Sequence, residues 1–292
     1  MITLVDQGSD PKAIAVLREY VGQFANVNLV ELQKNVGVAA GRNLGMRRGT
    51  ADVIVSIDND ATLASRRALF NISQCFDNAP GLGAIGFRIE DFTTGNLDPA
   101  SWVYPKALLR LGQNTFLATR FCGAGHAIRR SAFEKTVGYD GRLFFYWEEL
   151  DLSYQLIQLG YSISYEPSIV VKHKASPEGR TRWKADRYYY FVRNALYLDW
   201  KYFGSTPRWL ALANGYLVKG AYNRVVGQAL HGVADSVRMI KSLGSADRVK
   251  LNSKAIEYIR ENDLKYRGSL WNRISHEIFT TLPGGNLEDE AI

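Results

Sequence analysis

Two carboxylates stand one residue apart at the end of an apolar run. Residues 53–60 read Val-Ile-Val-Ser-Ile-Asp-Asn-Asp, which ends in Asp58 and Asp60. β-Branched side chains favour a buried strand, and open α/β sheets bind ligands beyond the carboxyl ends of their strands. Paired carboxylates at that edge are suitable ligands for Mg²⁺ or Mn²⁺, which share their coordination with substrate phosphates. Asp-Asn-Asp is also good turn chemistry, so a simple turn is the alternative.

A second acidic cluster comprises Glu148, Glu149 and Asp151, directly after Trp147. Three carboxylates within four residues repel one another, and crowding beside an apolar flank raises a carboxyl pKa towards the range of a general base. The alternative is a solvated helix start, because acidic side chains favour the first turn of a helix.

Further side chains are candidates for the same site. His173 ends an apolar run and would complete a mixed oxygen and nitrogen metal site if it faced Asp58 and Asp60. Asp6 follows the first predicted strand, where it could contact a nucleotide base or ribose, or cap a turn. Arg42 and Asn43 follow a glycine-rich turn and could contact a nucleotide, although the glycines could serve only close packing of a helix on a strand.

The segments that must position these residues alternate between strand-like and helix-like patterns. Strands are predicted at residues 27–32, 53–57 and 83–89, and helices at 12–25 and 65–76. Also predicted are a short helix at 133–138, a helix that runs on from the acidic cluster to about Leu159, and two short strands at 161–165 and 169–173. This alternation predicts an α/β fold with a mainly parallel, Rossmann-like sheet and helices on both faces. The polar and aromatic residues between Glu90 and Arg120 are predicted to be loops or an antiparallel excursion from the sheet.

The C-terminal part has a different character. Residues 186–203 are dense in aromatic side chains, and residues 209–243 carry apolar positions at three- and four-residue spacing: Val218, Tyr222, Val225, Ala229, Val233, Val237 and Ile240. The pattern predicts a basic amphipathic helical region, in which core packing is a commoner explanation of the stripe than membrane contact. The tail after Pro283 is predicted to be disordered.

Charge is distributed unevenly along the 292 residues. Residues 174–292 hold 19 Lys and Arg against 12 Asp and Glu, which accounts for the whole formal net charge of +7. A basic C-terminal region favours an anionic partner such as a phospholipid surface, a phosphorylated lipid or nucleic acid, or else is a solvated face. We expect no nucleic-acid partner, because the basic residues are scattered and no recognised binding motif occurs.

The cysteine content and the hydropathy of the sequence predict the cellular compartment of the protein. Cys75 and Cys122 provide neither a disulfide framework nor zinc spacing, which fits a reducing compartment. We expect no signal peptide, and no apolar run approaches the ~20 residues of a membrane-spanning helix. The predicted location is the cytoplasm, with the inner face of the membrane as the candidate docking surface.

Several motifs in order resemble the family-2 glycosyltransferases with the GT-A fold, in particular bacterial rhamnosyltransferase-type members. The matching stretches are residues 5–10, the Gly/Asn segment 35–45, the DxD-like 57–60, the acidic segment 138–151, His173 after Gly160-Tyr161 and Pro167, and residues 189–194. The resemblance covers about residues 1–200 and implies a GT-A catalytic domain over residues 1–180, a basic aromatic-rich helical region over 181–282 and a tail at 283–292.

The resemblance also implies a function. It implies an inverting, hexosyltransferase-like enzyme that uses a nucleotide-sugar donor, Mg²⁺ or Mn²⁺, and a glycan or lipid-linked acceptor in cell-surface polysaccharide synthesis. It assigns Asp58, Asp60 and His173 to the metal and Asp58 also to the nucleotide diphosphate, with Glu149 as base and Asp151 as the second candidate.

The same resemblance implies which residues lie beside the acceptor and which lie beside the nucleotide. Trp147, Glu148 and Arg193 are expected on the acceptor side, and Asp6, Arg42 and Asn43 around the nucleotide. This chain departs from the family at Glu149, where Asp is usual, and at the start, where another strand normally precedes the segment seen here. These departures motivate an alternative, a catalytically impaired relative that binds nucleotide sugars or glycans.

Overall fold

The computed structural model describes residues 1–174, 187–244 and 247–269. The strands are β1 (Ile2–Gln7), β2 (Val27–Leu32), β3 (Val53–Ile57), β4 (Ala61–Leu63), β5 (Leu82–Asp91), β6 (Phe116–Ala118), β7 (Gly125–Arg129) and β8 (Ser162–His173). The helices are α1 (Pro11–Val21), α2 (Val38–Met46), α3 (Ala68–Asp77), α4 (Arg130–Phe133), α5 (Glu148–Gln158), α6 (Arg187–Phe203), α7 (Thr206–Tyr222), α8 (Val226–Lys241) and α9 (Ser253–Asn262). Short 3-10 helices occur at Pro99–Ser101, Lys106–Leu111, Gly141–Leu143 and Leu264–Tyr266.

The predicted α/β alternation is present, and local signals explain where elements begin. The Asp10 side chain caps α1 by accepting hydrogen bonds from the main-chain N–H groups of Lys12 and Ala13, at 2.9 and 3.0 Å. Strands β2 and β3 have the predicted bounds.

The helix predicted at 133–138 was placed too late, because Gly138, with φ of +79°, belongs to a turn that follows α4.

The strands form two sheets. β1 and β2 make a parallel pair of their own, and the second sheet has the order β3-β7-β5-β8-β4, with β6 also paired to β8. β5 and β8 are parallel, and β3 has the same direction because β3 and β5 are both antiparallel to β7. The carboxyl ends of β3 and β8 therefore point to the same edge of the sheet, as the sequence analysis required.

β5 is the central strand of the core. Its first eight residues are buried. Ala84 and Ile85, which are adjacent within β5, pack into different hydrophobic clusters. Successive side chains of a strand point to opposite faces, so both faces of the sheet are covered.

β8 is one strand, although two short strands were predicted around Pro167. Its register against β5 shifts between Phe87, opposite Glu166, and Arg88, opposite Val170. The skipped residues around Pro167 form an irregularity in a continuous strand, since proline has no N–H for the ladder.

The C-terminal helical region is a set of packed helices. The stripe predicted over residues 209–243 divides between two helices, because Asn223, Arg224 and Val225 separate α7 from α8. The α8 part of the stripe packs inward, with Ala229 fully buried, but Val218 and Tyr222 of α7 stay 40% and 53% exposed. No helix in the described ranges is long and apolar enough to cross a membrane. The predicted tail at 283–292 lies outside the described residues.

A buried ionic network joins α5 to α6. Lys201, 5% exposed, donates to Asp151 at 2.6 Å and to Asp140 at 3.4 Å. The hydroxyl groups of Tyr197 and Tyr202 donate to Asp140 and Asp151, both at 2.7 Å. Because buried charges are costly unless they are paired and hydrogen-bonded, this network fixes α6 against the start of α5.

Candidate active site

Three predicted metal ligands meet at the carboxyl edge of the second sheet. Asp58 and Asp60 lie in the turn after β3, and His173 ends β8, where it pairs with Ala61 of β4. One ligand atom from each of Asp58, Asp60 and His173 lies within 4.8 Å of the others. His173 Nε2 lies 3.4 Å from Asp60 Oδ1.

The donor set fits a hard divalent cation. Two carboxylates and one imidazole suit Mn²⁺ or Mg²⁺ better than thiolate-binding metals. The side chains of Asp58 and Asp60 are 38% and 46% exposed, so the cluster opens towards solvent. An open site leaves coordination positions for substrate oxygens.

Asp98 supports the histidine from the other side and was not identified from the sequence. Its Oδ2 lies 3.6 Å from His173 Nδ1, and Asp98 is 3% exposed. The Asp98 carboxylate is the main cause of a raised pKa at His173, and Asp60 adds to it while burial opposes it. Asp98 also caps the 3-10 helix Pro99–Ser101. The Asp-Pro pattern at residues 98–99 predicts that cap but does not predict a contact with His173. A carboxylate behind a ligating imidazole orients the ring.

Arg42 links the metal cluster to the second acidic cluster. Its guanidinium donates to Asp58 Oδ1 at 2.8 Å, to Glu149 Oε1 at 2.5 Å and to the Gly123 carbonyl at 2.9 Å. Burial disfavours the charge of Arg42, but Glu149 and then other acids raise its pKa well above the usual value. A Cβ at position 123 would collide with Glu149 Oε1, so a larger residue there would displace this carboxylate from its present position beside Arg42.

The two adjacent glutamates have different surroundings. The side chain of Glu149 is 18% exposed and paired with Arg42. Glu148 is 3% exposed, and within the described residues its Oε2 atom has no hydrogen-bond partner. Burial first, and then the Glu149 charge, raise the pKa of Glu148 to about 8. Glu148 therefore favours its protonated form more than an exposed glutamate does, whereas the neighbouring Glu149 is partly exposed and held by Arg42.

Asp151 has a structural environment. It is fully buried and accepts hydrogen bonds from Lys201, Tyr202 and Gln155. An acid enclosed in this way cannot reach a hydroxyl of a bound acceptor, so the structure does not support Asp151 as the second candidate base.

Two residues predicted at the nucleotide side make local contacts. Asp6 accepts hydrogen bonds from the N–H groups of Gly8 and Ser9 and from the Ser9 hydroxyl, which is the main cause of its lowered pKa. These contacts match the turn-cap alternative. Asn43 donates to the Tyr139 carbonyl at 2.7 Å and accepts from the Tyr139 N–H at 2.9 Å, so it fixes the loop before the acidic cluster.

The loop that leads into α5 is strained. Phe144, Tyr146 and Trp147 have φ of 60°, 70° and 72°, a region that non-glycine residues rarely adopt. Such conformations persist only where surrounding contacts enforce them, and they concentrate at functional sites. Glu148 and Glu149 follow this loop directly, so its geometry sets where their side chains point.

Asn194 and Arg193 of α6 enforce that geometry. Asn194 is fully buried, and its amide group lies within hydrogen-bond distance, 2.8–2.9 Å, of the carbonyls of Leu143, Phe145 and Tyr146. Arg193 donates to the Leu143 carbonyl at 2.8 Å. Arg193 was predicted on the acceptor side, whereas Asn194 was missed, because its partners are main-chain atoms about 50 residues away.

Trp147 is held by the same helix. Its indole N–H donates to the Phe191 carbonyl at 3.0 Å, and its ring packs against the Phe191 ring at 5.0 Å between centroids. On the opposite side of the loop, Val38 N–H donates to the Phe144 carbonyl at 2.6 Å. The segment before α5 is thus clamped between α2 and α6.

The fold and site define an α/β protein with a cluster of candidate divalent-metal ligands at its sheet edge, and the family comparison agrees with this fold. Residues 1–137 match the model of glycosyl transferase family 2. The resemblance to family-2 glycosyltransferases inferred from the motifs is therefore confirmed.

Curated relatives match only part of their own length. A Haemophilus influenzae protein described as uncharacterized is 29% identical over 104 residues, which cover 35% of this chain and 56% of that protein. The pre-mycofactocin glycosyltransferase of Mycobacterium tuberculosis is 25% identical over 178 residues, which cover 59% of this chain and 37% of that protein. The chain thus spans less than two thirds of either relative.

Solved structures share the fold at low identity. The mannosyltransferase PcManGT from Pyrobaculum calidifontis, in complex with GDP-Man and Mn²⁺, has a TM-score of 0.54 and 17% identity over 94% of this chain and 74% of that one. GalNAc-T7 with UDP, GalNAc and Mn²⁺ has a TM-score of 0.58 and 14% identity over 90% of this chain and 51% of that one. The likeness confirms the predicted GT-A fold.

Replacing the buried Glu148 should change how stability depends on pH. The folded protein keeps a proton on Glu148 that the unfolded chain loses above pH 4.5, so wild-type stability should fall as pH rises from 4.5 to about 8. Over that window the loss is about 5 kcal/mol at most. We expect Glu148→Gln to remove this loss, measured as the free energy of urea unfolding at pH 5 and pH 8. The exposed control Glu134→Gln should keep the wild-type difference, and equal pH dependence in Glu148→Gln and wild type would contradict the assignment.

Removing the Asn194 amide should destabilise the strained loop. Asn194→Asp keeps the size of the side chain but places a carboxyl oxygen against three carbonyl oxygens. Leaving buried polar groups unsatisfied costs about 1–3 kcal/mol each, so the free energy of unfolding should fall by about 3 kcal/mol. Urea unfolding measures the change, with Asn214→Asp on the exposed side of α7 as control. Two variants of equal stability would show that Asn194 does not hold the loop.

Proposed function

We propose that this chain is an inverting, metal-dependent glycosyltransferase. It transfers a sugar from a nucleotide-sugar donor to a hydroxyl of a glycan or lipid-linked glycan acceptor in cell-surface polysaccharide synthesis. The observation that carries the proposal is the cluster of Asp58, Asp60 and His173, whose ligand atoms lie within 4.8 Å, joined through Arg42 to the cleft-facing Glu149. The family match over residues 1–137 supports the enzyme class.

The metal ligands serve the donor side. Asp58, Asp60 and His173 would hold Mg²⁺ or Mn²⁺, and the Mn²⁺ present in the structures of PcManGT and GalNAc-T7 supports a divalent ion. When bound, such an ion neutralises the charge of the nucleoside diphosphate leaving group. Asp98 holds the His173 ring in the orientation that directs Nε2 towards the carboxylates.

Glu149 serves the acceptor side. Its carboxylate takes the proton of the acceptor hydroxyl while the oxygen forms a bond to the anomeric carbon. The bond from that carbon to the diphosphate oxygen breaks, and its electron pair leaves with the nucleoside diphosphate. Attack opposite the leaving group inverts the anomeric configuration. Arg42 positions Glu149, and the protonated Glu148 beside it adds no second negative charge to the cleft.

The remaining predicted site residues keep supporting roles in the proposal. Trp147 and Arg193 shape the acceptor side through the loop before α5, and Asn43 shapes the site through the Tyr139 loop. Asp6, at the end of β1, stays a candidate for contact with the nucleotide.

Removing the proton acceptor should abolish most turnover. An amide cannot accept the hydroxyl proton, so Glu149→Gln should lower kcat by about 10²- to 10⁴-fold. The measurement is sugar transfer from a panel of nucleotide sugars in the presence of Mn²⁺, with the exposed Glu134→Gln as control. Full activity of Glu149→Gln would reject Glu149 as the base.

Removing a metal ligand should weaken metal binding before any chemistry occurs. Asp60→Ala should lower Mn²⁺ affinity by more than the roughly 10- to 100-fold typical of a lost supporting residue. Isothermal titration of the protein with Mn²⁺ measures binding directly, and chelation with EDTA should stop transfer by the wild type. Asp52→Ala, an exposed acid just before β3, is the control. Unchanged Mn²⁺ affinity in Asp60→Ala would place the ion elsewhere.

One observation favours the alternative of a non-catalytic relative that binds nucleotide sugars or glycans. Arg42 pairs with Glu149 and Asp58 at the same time, so the carboxylate that must accept the proton is already engaged by a cation. Titration showing nucleotide-sugar binding in the presence of Mn²⁺, with no transfer to any acceptor tested, would support this alternative over the enzyme.

A further inference from the structure

A buried histidine that takes no part in the proposed reaction lies in the sheet beside the site. His126 on β7 is fully buried, and its register places it opposite Ser56 of β3 and Gly86 of β5. Both ring nitrogens have partners, because Nδ1 lies 3.1 Å from the Cys122 carbonyl oxygen and Nε2 lies 2.9 Å from the Tyr139 hydroxyl. An imidazole enclosed in this way cannot touch a bound substrate. Any effect of His126 on the reaction must therefore act through its neighbours.

The two partners determine which ring nitrogen carries the proton. A carbonyl oxygen can only accept a hydrogen bond, so Nδ1 of His126 carries a proton and donates to the Cys122 carbonyl. Burial, and then the charge of Arg42, lower the pKa of His126 well below its usual value, which favours the neutral ring. In the neutral ring Nε2 accepts from the Tyr139 hydroxyl. The two contacts thus select one tautomer.

The Cys122 carbonyl is the first of three successive carbonyls that accept hydrogen bonds from three different parts of the fold. The Gly123 carbonyl accepts from Arg42 Nη2 on α2 at 2.9 Å. The Ala124 carbonyl accepts from the main-chain N–H of Asp58, after β3, at 3.4 Å. Because peptide groups are planar and share their Cα atoms, a displacement of the first carbonyl is transmitted to the two that follow. The histidine thus holds a turn that contacts both Arg42 and Asp58.

The second partner of the ring also lies beside Arg42. Asn43, the next residue of α2, holds the main chain of Tyr139 through hydrogen bonds of 2.7 and 2.9 Å. The Arg42 guanidinium carbon lies 5.9 Å from the centroid of the Tyr139 ring. The Phe121 ring stacks on the imidazole, with 4.5 Å between centroids. His126 therefore joins the two segments that surround the buried guanidinium, the turn at residues 122–124 and the loop at Tyr139.

We propose that His126 is a positioning residue for the Arg42 bridge between Asp58 and Glu149. Its Nδ1–H group fixes the carbonyls of residues 122–124, and these carbonyls hold Arg42 and the main chain of Asp58 in place. The inference rests on the proposed function, in which this bridge joins the metal ligands to the acceptor base. A histidine that served only the hydrophobic core would stabilise the fold without setting the position of Arg42.

Two substitutions distinguish the two ring nitrogens. The amide nitrogen of asparagine occupies the place of Nδ1, and that of glutamine the place of Nε2. His126→Asn therefore keeps a donor for the Cys122 carbonyl, whereas His126→Gln loses it. Each variant loses one of the two hydrogen bonds of the ring, so both should unfold at a lower urea concentration than the wild type. A role in the core alone predicts that the two variants behave alike.

The first measurement is isothermal titration of the folded proteins with Mn²⁺. His126→Gln should bind Mn²⁺ about tenfold or more weakly than the wild type, because Asp58 moves with the turn and with Arg42. His126→Asn should recover most of that affinity. Tyr258→Phe on α9 is the control for lost stability, since it removes a hydroxyl that donates to the Ala118 carbonyl at 3.0 Å. This control should keep the wild-type affinity.

The second measurement is the crystal structure of the wild type and of both His126 variants, without metal. Arg42 should contact the Gly123 carbonyl and Glu149 in the wild type and in His126→Asn, and should leave them in His126→Gln. The same position of Arg42 in all three structures, or equal Mn²⁺ affinity of the two variants, would overturn the proposal. A wild type that binds no Mn²⁺ or transfers no sugar would count against the proposed function, and the crystal structures would still decide the role of His126.

Discussion

The site depends on one buried guanidinium held between two carboxylates. Arg42, with its side chain 11% exposed, binds Asp58 on the metal side and Glu149 on the acceptor side. Without it, two negative groups would face each other across a partly desolvated cleft. A charge-assisted hydrogen bond to each carboxylate fixes their separation as well as their charge. The end of β3 and the start of α5, which lie about 90 residues apart in the chain, are coupled through this one side chain.

The acceptor side depends on the C-terminal helices as much as on the sheet. Asn194 holds the strained carbonyls before α5, and Lys201 neutralises Asp140 and Asp151 beneath it. Both contacts cross the boundary predicted near residue 180. Helix α6 is therefore part of the framework that orients Glu148 and Glu149, while α7 packs against it through Trp209 and Ala213.

Local sequence signals were sufficient for part of this architecture. The β-branched run of β3 depends on neighbouring residues, so its bounds could be predicted closely. Helix α1 begins one residue before its predicted start but ends at Val21, four residues before its predicted end. Asp58, Asp60 and His173 could be grouped because strands of one direction end at one edge. The apolar stripe over 209–243 was assigned to one face, but periodicity cannot locate the break at Arg224. It also cannot tell that Val218 and Tyr222 lie on the outer side of α7.

The sequence alone determined the α/β class, the strands that carry the acids and the family resemblance, because these follow from side-chain type and short-range spacing. Tertiary structure decided what each acid does. Glu148 and Glu149 are identical and adjacent, yet burial raises the pKa of one and Arg42 pairs with the other. Asp151 joins a buried network, and Asp98 stands behind His173. These roles depend on contacts between residues distant in the chain, and on the solvent that folding removes from each carboxyl group, so no local pattern encodes them.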